Sequence, residues 1–163
     1  LNKLIEDTLQ LIEQPAQVEN ITIVTDFDEK MPPVWLDEDL IKQVIMNMLV
    51  NARHAIEGAG TITIKTRSCE AGTCPDSVTT TGCMAEITIT DTGCGIPEED
   101  LGKVFDPFFT TKDVGKGTGL GLSVSHGTVE AHRGTIEVES EVGKGTEFRI
   151  YLAIDKKEIG NEG

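Results

Sequence analysis

Strand-like segments in this chain come in consecutive pairs. "TITIKTR" from Thr61 is followed by "MAEITITD" from Met84, and "GTIEVES" from Gly134 is followed by "GTEFRIYLAI" from Gly145. Strands that follow one another with no helix between them imply hairpins, so most of any sheet they build is antiparallel. A fifth strand, "ITIVTDF" from Ile21, stands alone. Helical spacing fills the gaps. Leu4, Ile5, Leu9, Leu11 and Ile12 predict a short amphipathic helix over residues 1–13, ended by Pro15. The longest helix is predicted over residues 39–57, opened by Asp37 and closed by the glycines at 58 and 60. A third covers residues 120–131, and one or two helical turns follow Glu98. The order α-β-α-β-β-α-β-β predicts an α/β two-layer sandwich. Its mixed, mostly antiparallel sheet of about five strands is covered on one face by about three helices. The Gly-, Thr-, Ser- and Cys-rich stretch 68–83 reads as an exposed hairpin loop, and residues 155–163 as a polar, frayed tail.

Composition narrows the partners. The chain has 163 residues, 38% hydrophobic and 26% charged, which suits one globular domain with a real core. No apolar run reaches the length of a membrane span, so no membrane contact is expected of this segment. A first residue of Leu rather than Met marks it as a piece of a longer protein, whose targeting information lies elsewhere. The formal net charge of -14 argues against nucleic acid, which needs clustered Lys and Arg. An anionic ligand must therefore be held locally, by backbone N–H groups, a few cations or a metal. The cysteines at 69, 74, 83 and 94 lack a C-x-x-C pair and read as free thiols rather than a zinc site, although three share one loop.

Three constellations carry chemistry. On the long helix, Ile41, Val44, Ile45, Met48, Leu49, Ala52 and Ile56 form a core face, while Gln43, Asn47 and Asn51 recur at four-residue intervals along a polar one. The carboxamides fit either a helix–helix hydrogen-bonded contact or a hard cation taking amide oxygen. In "ITITDTGCGIP", a strand delivers Asp91 to a turn with Gly93 and Gly95. The aspartate is either a turn former or an acceptor for an exocyclic amine such as adenine's, which a carboxylate suits. In "DPFFTTKDVGKGTGLGLS", Phe108 and Phe109 precede Gly115, Gly117, Gly119 and Gly121 and a helix start. This is either a flexible loop or an anion site built from free N–H groups. It matches neither the P-loop nor the dinucleotide fingerprint.

As an ordered set, "QVIMNMLVNARHAI", "DTGCGIP", "VFDPFFTTK" and "GKGTGLGLS" resemble the four nucleotide boxes of the ATP-binding catalytic domain of sensor histidine kinases. These are related to gyrase, Hsp90 and MutL. The wording "DPFFTTK" and "GTGLGLS" is similar to the nitrogen-regulator type. The resemblance spans about residues 4–154 and implies a Bergerat-type fold, with residues 1–154 as the catalytic domain. It also implies ATP and Mg2+ as cofactors and a protein-histidine kinase activity. Asn51 would bind magnesium, with Asn47 beside it facing the phosphates; these two are the candidate catalytic pair. Asp91 would hold the adenine amine, and Gly93 and Gly95 would shape the pocket floor. Gly117, Gly119 and Gly121 would wrap the phosphates, with Leu120 and Leu122 nearby, Lys112 as a phosphate contact and Thr146 on the adenine side. Phe105, Phe108 and Phe109 would pin a lid to the domain or to a partner helix. His54 stands where many such kinases carry Lys or Arg.

The phosphoacceptor would be a histidine on a separate dimerisation domain. No H-E-x-x-x-P-like motif occurs here, and His54, His126 and His132 are not assigned that role. A monomer is therefore expected that binds ATP in the cytoplasm, with a response regulator downstream. Alternatives are a protein serine kinase of the anti-sigma type, a nucleotide-sensing docking module and a clamp-type ATPase.

Overall fold

The computed structural model describes residues 1–69, 82–110 and 118–154. Its elements run α1 (Asn2–Val18), β1 (Ile21–Asp26), α2 (Glu38–Ala55), β2 (Gly60–Cys69), β3 (Met84–Asp91), α3 (Glu98–Leu101), α4 (Gly121–Ala131), β4 (Thr135–Glu141) and β5 (Gly145–Ala153). The five strands form one sheet in the order β1-β2-β3-β5-β4. β1 and β2 are parallel and the other pairs antiparallel, giving the expected mixed, mostly antiparallel α/β sandwich. Most of the 68–83 loop, the 155–163 tail, Lys112, Gly115 and Gly117 lie outside the described residues.

Alternation along the strands decides which face is dry. Ile62 and Ile64 of β2, Ala85, Ile87 and Ile89 of β3, and Phe148, Ile150 and Leu152 of β5 are buried. They meet Ile5, Leu9 and Ile12 of α1 and Ile41, Val44, Ile45, Met48, Leu49 and Ala52 of α2. The opposite face carries Lys65, Arg67, Glu86, Thr90, Glu147 and Arg149, as an antiparallel sheet with one wet side allows. At its far end Met84, Tyr151 and Ala153 make a separate small cluster.

One boundary differs from expectation. α1 does not stop at Pro15 but continues to Val18 with the proline inside it. Proline removes an N–H, yet its carbonyl still accepts, and Glu19 N–H reaches it at 3.2 Å. The extra turn also buries Ala16, to 1% exposure. Leu11, expected on the apolar face, points outward instead.

α2 is the element that carries the site. Asp37 caps it, its side chain accepting from Leu40 N–H at 3.1 Å, an arrangement worth about 1 kcal/mol. α4 is hung from α2 at both ends. His132 Nδ1 donates to the Thr128 carbonyl (2.7 Å), which leaves Nε2 to accept from Asp37 N–H (3.1 Å). At the other end the Asn47 amide reaches the first turn of α4.

Candidate functional site

A cavity of about 510 Å3 opens where α2, the turn after β3, the start of α4 and β5 converge. Asn47 and Asn51 of α2 line it, with Asp91, Gly95, Gly119, Gly121, Leu122 and Thr146. Residues drawn from four separate sequence motifs thus share one space. Gly93 and Leu120 are near but not in the wall: Gly93 is buried behind it and Leu120 is partly exposed beside it.

Asp91 lies at the end of β3 and is only 4% exposed. Burial pushes its carboxyl pKa above the ordinary 3.8, and hydrogen bonds from the Gly93 and Thr146 backbone N–H groups offset this in part. The Gly93 contact is 2.8 Å to Oδ1. Such a group accepts and does not donate while ionised, so it selects a ligand atom bearing hydrogen.

Two glycines weld the following turn in place. A Cβ on Gly93 would sit 2.5 Å from the Ala55 carbonyl oxygen, and its absence lets Cys94 N–H bond that oxygen at 2.8 Å. Gly95 has φ +75, and a Cβ there would lie 2.2 Å from the Glu141 carbonyl oxygen. Ser140 completes the anchor. Its hydroxyl accepts from Ile96 N–H (2.8 Å) and donates to the Gly145 carbonyl (2.9 Å). With that single proton committed, the hydroxyl of Thr146, 2.9 Å away, must donate to Ser140 and turn its lone pairs elsewhere.

The opposite wall is amide. Asn47 Nδ2 lies 3.2 Å from both the Gly121 carbonyl and Ser125 Oγ. Asn51 follows one turn later on the same cavity. α4 begins at Gly121 with no side-chain cap hydrogen bond among the described residues, and the N–H groups of such a first turn favour an anion.

The three phenylalanines divide the expected work unequally. Phe105 packs on the core, with Phe148 at 6.4 Å edge-on and His126 at 5.0 Å. Phe109 is half-buried in the cavity wall. Phe108 does not pin anything to this domain: it is 73% exposed. Its backbone explains why. With φ +66 it turns away, donating its N–H to the Gly119 carbonyl at 2.8 Å. Gly119 mirrors it at φ +66, and a Cβ there would meet the Phe108 carbonyl carbon at 2.5 Å.

His54 lines the cavity mouth. Arg53 NH2 lies 3.3 Å from its Nε2. Arg53 itself leans toward Glu19, 3.4 Å from Nε, and is absent from the cavity wall. Sequence reasoning passed over Ser125 and Ser140, the two hydroxyls behind the site. Ser125 had a signal, lying one helical turn after Gly121; Ser140 had none.

The chain matches, over residues 36–156, the family model described as histidine kinase-, DNA gyrase B- and HSP90-like ATPase. It is 37% identical over 155 residues to the sensor histidine kinase ZraS of Escherichia coli (strain K12), covering 95% of this chain and 30% of that protein. It is 38% identical over 162 residues to the signal transduction histidine-protein kinase AtoS of the same organism, covering 99% and 24%. The chain therefore spans less than a third of the length of these curated relatives. Among solved structures, the catalytic domain of histidine kinase ThkA superposes with a TM-score of 0.79 at 32% identity, covering 94% of this chain and 92% of that one. ThkA in complex with the response regulator protein TrrA gives 0.76 at 28% identity, covering 97% and 41%. By sequence and by fold, the chain belongs to the histidine kinase-, DNA gyrase B- and HSP90-like ATPase family, and within it is homologous to the ATP-binding catalytic domains of sensor histidine kinases.

Proposed function

We propose that the cavity binds ATP with Mg2+ and presents its γ-phosphate to a histidine on a dimerisation and phosphoacceptor domain of the parent protein. The observation that carries this is the pairing, across one 510 Å3 cavity, of a buried acceptor, Asp91, with the amides of Asn47 and Asn51. Asp91 accepts from the adenine amine. Thr146 flanks the base on the same side. The uncapped start of α4 faces the phosphates, with Lys112 as a further contact and Gly117, Gly119 and Gly121 allowing close approach.

The donor set suits magnesium. Among the described residues no cluster of three His, Cys, Asp or Glu is placed to hold a metal. The wall instead offers amide oxygen, a hard donor, and Mg2+ keeps most of its shell as water and phosphate oxygen. Asn51, with Asn47 beside it, would hold the ion, which when bound neutralises phosphate charge during in-line transfer. His54 stands at the wall where a lysine or arginine would add fixed charge, so more of the burden falls on the amides and on α4.

The reading extends to partners. ThkA forms a complex with a response regulator, and we assign the parent of this chain the same class of downstream partner. Phe108, exposed and turned outward, suits contact with the phosphoacceptor helix. Among the described residues no helix is long and apolar enough to cross a membrane, and we assign the domain to the cytoplasm as the compartment that supplies ATP. Residues 1–154 form the catalytic unit, as a monomer.

Calorimetric titration with a non-hydrolysable ATP analogue, with and without Mg2+, tests the site on wild type and Asp91→Asn. Binding that prefers adenine over guanine and is lost in Asp91→Asn is expected. A folded wild type that binds neither nucleotide would sink the reading.

A further inference from the structure

We propose that Ser125 is a positioning residue for Asn47, fixing which atom of that amide faces the ligand. This rests on the nucleotide-and-cation reading of the cavity. The Gly121 carbonyl can only accept, so the Asn47 atom 3.2 Å from it is the NH2 group. Ser125 Oγ stands 3.2 Å from that same nitrogen. Two protons meet two acceptors, both on α4. Nothing remains on Asn47 to donate to a phosphate, and Oδ1 is the atom left for the cavity that the residue lines.

Ser125 is suited to this work and to little else. It is 0% exposed, far from solvent for a hydroxyl, and it sits one turn beyond Gly121 on the same face of α4. Gly121 leaves room beside the amide: a Cβ there would be 3.7 Å from the Asn47 carboxamide carbon, an ordinary contact. The amide is thus held at both of its N–H protons by a single helix. Any displacement of α4 releases an N–H and lets the amide turn. Asn47 then changes from a cation-side acceptor to a phosphate-side donor, so the packing of α4 sets how far nucleotide binding depends on Mg2+.

Ser125→Ala removes one clamp while keeping a good helix former. In the Mg2+-saturated titration the analogue should bind about three- to tenfold more weakly, the range of one lost hydrogen bond, whereas Mg2+-free binding is unchanged or tighter. Asn47→Ala should abolish the difference between Ser and Ala at 125, because Ser125 acts only through that amide. Equal weakening with and without Mg2+, or the same loss in the Asn47→Ala background, would overturn the proposal and leave Ser125 a packing residue. A nucleotide-free readout separates this from failure of the functional reading. The side-chain NH2 resonances of Asn47 should shift, and their exchange with water accelerate, in Ser125→Ala. Unmoved resonances refute the clamp whether or not ATP binds.

Discussion

A carboxylate kept almost entirely from water is a liability to the ligand-free fold. Asp91 has its pKa raised by burial, so the folded chain holds its proton more tightly than the unfolded chain does. Its favourable contribution is present in full below the unfolded pKa and is lost as pH rises through the folded one. At neutral pH the ionised group therefore destabilises the empty domain. Asp91→Asn should leave the melting temperature unchanged or raised while removing adenine binding, a separation that thermal melts and calorimetry would show together. Acidification should act oppositely on the ligand. As pH falls through the raised pKa, above 3.8, the carboxyl gains a proton and adenine affinity drops in wild type. An affinity flat down to the ordinary carboxylate range would mean Asp91 does not meet the base. At this scale the sequence was informative where chemistry is carried by residue type in a motif. Asp91, Asn47, Asn51 and Thr146 were singled out from motifs, and they line one cavity. Ser140 was not, because its role behind the site depends on which carbonyl already holds its proton, and that is a three-dimensional fact; Ser125 was passed over although its spacing from Gly121 was a signal.

Elements hold the site through contacts that alternation alone does not announce. On the wet face of the sheet, Glu139 of β4 and Glu147 of β5 are direct cross-strand partners, a repulsive placement. Arg149 resolves it. Its guanidinium forks onto Glu139 at 2.9 and 3.2 Å and reaches Glu147 at 2.5 Å. Hydrogen bonding to Glu139 first, and also to Glu147, holds its pKa well above the usual arginine value. Arg149→Gln should lower stability by about 1 kcal/mol, more at low salt, because two facing carboxylates lose their shared cation. Denaturant titration at two salt concentrations measures this; no change at low salt would show that the strands are held by backbone alone. Nucleotide affinity should be unaffected, since Arg149 is outside the cavity wall. Element type and order were legible from periodicity. The end of α1 was not. Pro15 is a good stop signal locally, but burial of Ala16 on the core outweighs one missing hydrogen bond at a helix end.

For the whole molecule, the division of labour matters most. On the proposed reading the chain supplies the nucleotide cavity and its supports, and the phosphoacceptor role is assigned to none of its three histidines. His132 is committed to Thr128 and Asp37, His54 to Arg53, and His126 faces Glu130 at 3.4 Å and the ring of Phe105. Incubated with ATP and Mg2+, this chain alone should bind nucleotide without forming stable phosphohistidine. Acid-labile, base-stable label on the isolated chain would contradict that assignment.

The sheet order has a consequence for how the protein acquires its shape. β1 and β2 are parallel, so α2 is the crossover between them, and β3 meets β5 only after α3, α4 and β4 have been passed along the chain. Asp91 and Thr146 are register partners drawn from remote parts of the sequence. Long loops must close before that pairing is rewarded, so it carries the entropy cost of closing the intervening chain. The cavity thus exists only once the chain is fully assembled, and a nascent or partly unfolded copy has nothing with which to grasp nucleotide. Any ligand of this cavity then stabilises the completed fold by mass action and gives incomplete copies nothing.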